Sequence, residues 1–169
     1  MSDQRRVVVG VGNRFRRDDS AGLEVADLLR ERVAQDVEVL TLEGEPTVLL
    51  DVLAGAELTI LVDAVATAGS PGEIRRFDAT DEPVPNNVFG ASTHAFGLGE
   101  TIELARTLGK LNGRVLVYGI TGEDFSAGEA LNASVEAAVQ TAAAAIVQEL
   151  SGPASRSERK GSHPCMSTR

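Results

Sequence analysis

Three nearly continuous apolar runs divide the chain and are typical of strands covered on both faces. They are RRVVVGVG (5–12), LTILVDAV (58–65) and GRVLVYGI (113–120). Two further segments, VEVLTL (37–42) and GEIRRFD (72–78), predict shorter strands, the second introduced by the turn-forming sequence Ser-Pro-Gly.

Apolar residues at helical spacing predict four helices between and after these strands. The first runs from Ser20 to Val33 behind residues that favour a helix N-terminus, a short one lies within 47–56, and a third runs from about Leu98 to Leu108. The last helix ends at Gly152-Pro153, and its apolar stripe consists of Val135, Val139, Ala142, Ile146 and Leu150.

This alternation of strands and helices predicts an α/β fold, a three-layer, mostly parallel twisted sheet flanked by helices on both faces. Residues 78–95 contain prolines and paired asparagines and predict a long loop, of a length that is usually functional or disordered. We expect one domain over residues 1–150. Residues 151–169 offer almost nothing apolar to bury and predict a disordered tail.

Composition and charge exclude several classes of protein. No apolar run approaches the roughly 20 residues that span a bilayer, and the polar start MSDQRR is unlike a secretory signal. The single cysteine, Cys165, allows neither an internal disulfide nor a CxxC metal knuckle, so we expect a cytoplasmic protein. The net charge of −9 divides into −12 over residues 1–150 and +3 over the tail, which disfavours nucleic acid and anionic membranes as partners.

The turn GVGNRFRRDDSAG (10–22) joins the first strand to the first helix, where many α/β proteins bind phosphate. A dinucleotide site there needs a third glycine at position 15, which is Phe15. Glu43 could imitate the ribose-binding acid, but Asp18 and Asp19 would repel a pyrophosphate. A nucleotide site is therefore a disfavoured alternative, and we expect no nucleotide cofactor.

Two carboxylates need separate explanations. Helix capping accounts for Asp18 or Ser20, which leaves Asp19 for another task. Asp63 ends the run LTILVD, and an ionised carboxylate in a dry core costs several kcal/mol unless it is paired or binds a metal. At the carboxyl end of a parallel strand it would instead face the crevice where open α/β sheets bind ligands. A solvated loop position for Asp63 remains open.

His94, at the end of the long loop, is one of only two histidines, and His163 lies in the tail. The topology would gather Asp19, Asp63 and His94 at one edge of the sheet. Two carboxylates and an imidazole predict an open site for a divalent transition metal, with positions left for another ligand. A backbone cap for His94, or a Ser92–His94 dyad, remains an alternative, although the chain has no G-x-S-x-G elbow.

At these residues the sequence resembles the hydrogenase maturation proteases, cytoplasmic endopeptidases that trim the large subunit of nickel-iron hydrogenase. The likeness covers nearly all of residues 5–150. It rests on the ordered motifs GVGNRFRRDDSAG, LVDAV, SPGEIRRFD, STHAFGL and YGITGEDFSAGEALNASVEAAV.

The resemblance implies that Asp19, Asp63 and His94 are the nickel ligands and the catalytic site, in an aspartic-type endopeptidase. It also implies that the nickel arrives with the substrate, a loaded large-subunit precursor. We further expect the protein to be a monomer. The attacking group stays open between a metal-polarised carbonyl and a water activated by a carboxylate, with Asp19 favoured as the most exposed base. A non-catalytic metal-binding accessory or chaperone for hydrogenase assembly is the alternative function.

The sequence departs from the family pattern at three places. Ser20 stands where the family usually has glycine, and LEGEPTVLLD replaces a more glycine-rich stretch. Arg14, Arg16 and Arg17 replace apolar residues, and they are either solvated loop charges or contacts for an acidic precursor surface.

Overall fold

The computed structural model describes residues 4–66, 69–85 and 97–152. Over these residues the chain forms a five-stranded sheet with helices on both faces. In chain order the elements are β1 (Arg6–Val11), a 3-10 turn (Arg17–Ser20), α1 (Ala21–Arg30), β2 (Val37–Leu42), α2 (Pro46–Gly55), β3 (Leu58–Val65), β4 (Ile74–Asp78), α3 (Leu98–Thr107), β5 (Arg114–Thr121) and α4 (Ala133–Ser151).

The sheet order is β2-β1-β3-β5-β4. The first four strands in this order pair in parallel, and β4 runs antiparallel to β5 with Ile74 opposite Ile120. The carboxyl ends of the parallel strands therefore meet at one edge of the sheet, which we call the carboxyl edge. This is the edge at which open α/β sheets bind ligands.

Two apolar layers cover the sheet because successive strand residues face opposite sides. Val8 packs with residues of α1 and α4 on one face, whereas Val7 and Val9 pack with residues of α2 and α3 on the other. All three valines are fully buried. The predicted α/β architecture with a mostly parallel sheet is thus confirmed.

The first helix is shorter than the predicted span from Ser20 to Val33. The chain enters it through the 3-10 turn and leaves it after Arg30, where the backbone N–H groups of Arg32 and Val33 both donate to the carbonyl of Leu29. The predicted disordered tail lies outside the described residues from position 153 onward. Residues 86–96 of the predicted long loop also lie outside them. Within the described ranges, none of the helices is long and apolar enough to cross a membrane.

Gly22 allows α1 to approach the sheet backbone to backbone. A Cβ atom built on Gly22 would lie less than 3.0 Å from the carbonyl oxygens of both Val11 in β1 and Val62 in β3. Only a glycine fits this spacing. Gly22 thus has the helix-packing role that the dinucleotide pattern assigns to position 15, where Phe15 instead lies 67% exposed. The close approach brings the residues before α1 against the end of β3.

Candidate active site

Asp19 and Asp63 lie together beneath the carboxyl edge. The 3-10 turn that carries Asp19 packs against β3, which carries Asp63 two residues before its end. Asp19 is 1% exposed and Asp63 is 6% exposed. The fold therefore brings these two residues together, as expected. Asp63 lies within a strand and is buried, so the alternative of a solvated loop position is wrong.

The surroundings of Asp63 favour its neutral form. Burial, and to a smaller extent the nearby charge of Asp19, together raise the pKa of Asp63 from its ordinary value of 3.8 to about 8. The buried Oδ1 atom of Asp63 accepts no hydrogen bond from the described residues. A carboxyl oxygen of this kind, next to a second carboxylate, is suited to a cation or to a shared proton.

Asp18 does not cap a helix, so the capping interpretation of Asp18 and Ser20 is wrong. Within the described chain, neither the 3-10 turn nor α1 has a side-chain hydrogen bond at its N-cap. The Ser20 hydroxyl donates to the carbonyl of Arg17 at 2.8 Å. Asp18 is fully buried and accepts hydrogen bonds from three backbone N–H groups of residues 123–132.

The two adjacent acids therefore have different partners. Asp18 faces the segment after β5, whereas Asp19 lies beside Asp63. The prediction that Asp19 is the most exposed base is wrong, because its side chain is at least as buried as that of Asp63. Sequence reasoning missed the role of Asp18, because its partners lie more than a hundred residues further along the chain.

The arginine side chains of the turn bind groups elsewhere in the same chain. Arg14 pairs with Asp27 at 2.9 Å, the Nε atom of Arg16 donates to the carbonyl of Phe125 at 3.2 Å, and Arg17 lies 3.4 Å from Asp124. These intramolecular partners account for the basic character of the turn without an acidic surface on a precursor.

His94 and Ser92 lie outside the described residues. The place of His94 in the predicted three-residue site therefore stays a prediction. The described part of the chain contains no group of three or more His, Cys, Asp and Glu residues able to hold a metal. Asp19 and Asp63 supply two adjacent carboxylates that can bind a divalent cation or exchange a proton. His94 would add the imidazole that suits nickel.

Comparisons with known proteins agree with the motifs. The family model described as "HycI: Hydrogenase maturation protease" matches residues 23–149. The hydrogenase expression/formation protein HupD of Rhodobacter capsulatus is 28% identical over 152 residues, which span 87% of this chain and 71% of that protein. The hydrogenase 2 maturation protease of Escherichia coli strain K12 is 26% identical over 153 residues, which span 86% of this chain and 90% of that protein.

Solved structures with a similar fold belong to the same family. The hydrogenase maturating endopeptidase HybD from E. coli has a TM-score of 0.72 and 27% identity, covering 87% of this chain and 92% of its own. The maturation protease HycI from Thermococcus kodakarensis KOD1 has a TM-score of 0.69 and 25% identity, covering 88% and 94%. The chain therefore belongs to the hydrogenase maturation protease family of endopeptidases.

Proposed function

We propose that this chain removes a C-terminal peptide from the nickel-loaded precursor of a nickel-iron hydrogenase large subunit, acting as a cytoplasmic monomer. The observation that carries the proposal is the buried pair Asp19–Asp63 at the carboxyl edge, in a chain of the maturation protease family. We assign this pair, together with His94, as the site that receives the substrate's nickel and cleaves the peptide.

The electrostatics of the pair support a preference for loaded precursor. Two ionised carboxylates brought together out of water repel each other, and burial alone disfavours the charged form of Asp63. A divalent cation removes both penalties at once. The site is therefore complementary to a precursor that brings a metal ion and poorly complementary to a nickel-free one.

The same pair can carry out the proton transfers of hydrolysis. In the free protein the pKa of Asp63 is raised to about 8, and a divalent cation bound at the pair would favour the ionised carboxylate. Once ionised, Asp63 can take a proton from the attacking water, and the carboxyl group so formed can return that proton to the amine as the peptide C–N bond breaks. We assign both transfers to Asp63.

The proposal is tested by incubating the protein with nickel-loaded and nickel-free large-subunit precursor and measuring the precursor mass. We expect trimming of the loaded form at one C-terminal site and an intact nickel-free form. A loaded precursor that binds but keeps its full mass would contradict the proposal and support a non-catalytic accessory.

A further inference from the structure

Among the described residues, the hydrogen bonds that the Asp18 carboxylate accepts come from residues 122–132, which we call the anchor loop. Its Oδ2 atom accepts hydrogen bonds from the backbone N–H groups of Glu123 at 2.8 Å and Asp124 at 2.9 Å. Its Oδ1 atom accepts one from the N–H of Asn132 at 2.7 Å. Since Asp18 is fully buried, these bonds form where water does not compete.

Backbone hydrogen bonds join the same two segments on either side of Asp18. The N–H of Arg17 donates to the carbonyl of Gly128 at 2.9 Å, and the N–H of Gly128 donates to the carbonyl of Phe15 at 2.8 Å. The N–H of Asp18 itself donates to the carbonyl of Asp124 at 3.0 Å. The turn before Asp19 and the anchor loop therefore form one connected unit.

This unit holds Asp19 by its main chain. The N–H of Asp19 donates to the carbonyl of Arg16 at 3.0 Å, and its carbonyl accepts from the N–H of Asn13 at 3.3 Å. A Cβ atom on Gly12 would overlap that carbonyl oxygen, so the backbone of Asp19 also has a close neighbour on this side.

The turn is strained as well as connected. Arg17, with φ of 45°, is the one non-glycine residue of the described chain that has a positive φ. Such a conformation persists only where the surrounding structure fixes it. Here the hydrogen bond from the N–H of Arg17 to the carbonyl of Gly128 holds this residue in place.

We propose that Asp18 is a positioning residue for the cleavage reaction, because its hydrogen bonds with the anchor loop hold Asp19 beside Asp63. This inference rests on the proposed function. The two site carboxylates repel each other when both are ionised, so an unanchored turn would let Asp19 move away toward solvent. In this role Asp18 does not touch the substrate and acts through Asp19 alone.

The test compares Asp18→Ala with Asp78→Ala, each measured well below its unfolding temperature. Asp78 is a suitable control because its carboxylate also accepts several hydrogen bonds, from Thr80 and Arg114, at the opposite edge of the sheet. We expect both variants to lose stability, because each loses a hydrogen-bonded carboxylate. We expect kcat on loaded precursor to fall at least tenfold in Asp18→Ala with KM changed less than threefold, and to stay within twofold of wild type in Asp78→Ala.

Asp18→Asn is the conservative variant that should restore part of the activity lost in Asp18→Ala. Its carboxamide oxygen can still accept from the N–H groups of Glu123 and Asp124, whereas its NH2 group would face the N–H of Asn132. We expect a kcat between those of wild type and Asp18→Ala. Equal kcat in Asp18→Ala and Asp78→Ala would overturn the inference and leave Asp18 with a purely structural role.

A second measurement separates this inference from the proposed function, because it needs no cleavage. Amide hydrogen exchange reports the turn directly, and we expect the N–H groups of Asn13 and Asp19 to exchange at least tenfold faster in Asp18→Ala than in Asp78→Ala. Unchanged exchange would overturn the inference even if wild type trims the precursor. Faster exchange with no trimming by wild type would overturn the proposed function and leave the anchoring intact.

Discussion

Gly22 in α1 and Val62 in β3 meet backbone to backbone, with no room for a side chain between them. This contact sets the geometry of the site, because Asp19 lies three residues before Gly22 and Asp63 directly follows Val62. A glycine inside a helix is unfavourable by propensity. Its presence is explained by the close approach of α1 to β1 and β3 rather than by the helix itself.

Replacing Gly22 with alanine tests this contact. The added Cβ atom would collide with two carbonyl oxygens that belong to the sheet and have little freedom to move. We expect Gly22→Ala to lower the free energy of unfolding by about 3 kcal/mol or more, measured by urea denaturation.

Gly99→Ala is the matched control, because Gly99 is also a helical glycine and its nearest potential neighbour is the Cβ atom of Val84 at 3.7 Å. That variant should leave the stability unchanged or raise it by up to about 1 kcal/mol. Equal effects of the two substitutions would show that Gly22 is not a packing contact.

The buried Asp63 predicts an unusual dependence of stability on pH. Its pKa is about 8 in the folded protein and near the ordinary 3.8 when unfolded, so the folded state binds the extra proton between these values. Its contribution to stability is therefore lost as the pH rises from 4 to 8, by up to about 1.4 kcal/mol per pH unit.

Asp63→Asn removes this titration while keeping the shape of the side chain. In the free protein we expect the variant to gain stability relative to wild type as the pH is raised from 4 to 8, measured by urea unfolding at each pH. Asp51→Asn, at an exposed position of α2, is the control and should follow the wild-type curve. A constant difference between Asp63→Asn and wild type across this range would rule out a raised pKa.

Two arginines in matching positions predict different contributions to stability. Arg30 and Arg106 each lie in the last turn of a ten-residue helix and each pairs with an acid three residues earlier, Asp27 and Glu103. Arg106 also donates to the carbonyls of Thr80 and Ala79, both at 2.7 Å.

We expect Arg106→Ala to cost roughly 1–3 kcal/mol, because two carbonyl groups of the loop after β4 lose a charged donor. Arg30→Ala should cost less than about 1 kcal/mol, as is usual for an exposed ion pair. Thermal unfolding compares the two. An equal loss would mean that the contacts of Arg106 with the loop contribute nothing.

The sequence predicted the architecture because buried parallel strands leave continuous apolar runs, as in Val7 to Val9 and Leu58 to Val65. It also placed Asp19 and Asp63 together, since strand ends and helix starts share one edge in this topology. Both inferences depend on local pattern and on chain order, which a single sequence contains.

The features that could not be predicted from the sequence depend on contacts between distant segments. The sequence predicts a capping role for Asp18 because acids at the start of a helix usually cap it, but the partners of Asp18 lie more than a hundred residues further along the chain. The burial of Asp19 likewise follows from the approach of α1 to β3. Neither the role of Gly22 nor the exposure of Phe15 could be inferred from spacing alone.

Whether Asp19 and Asp63 together cleave the precursor is tested by the rate of cleavage of nickel-loaded precursor by Asp19→Asn, Asp63→Asn and the double variant. We expect each single variant to lose at least about 100-fold in kcat/KM while remaining folded. We expect the double variant to be no worse than the poorer single one, because the two carboxylates act as one unit. Cleavage at the wild-type rate by either folded single variant would show that the pair is not the catalytic site.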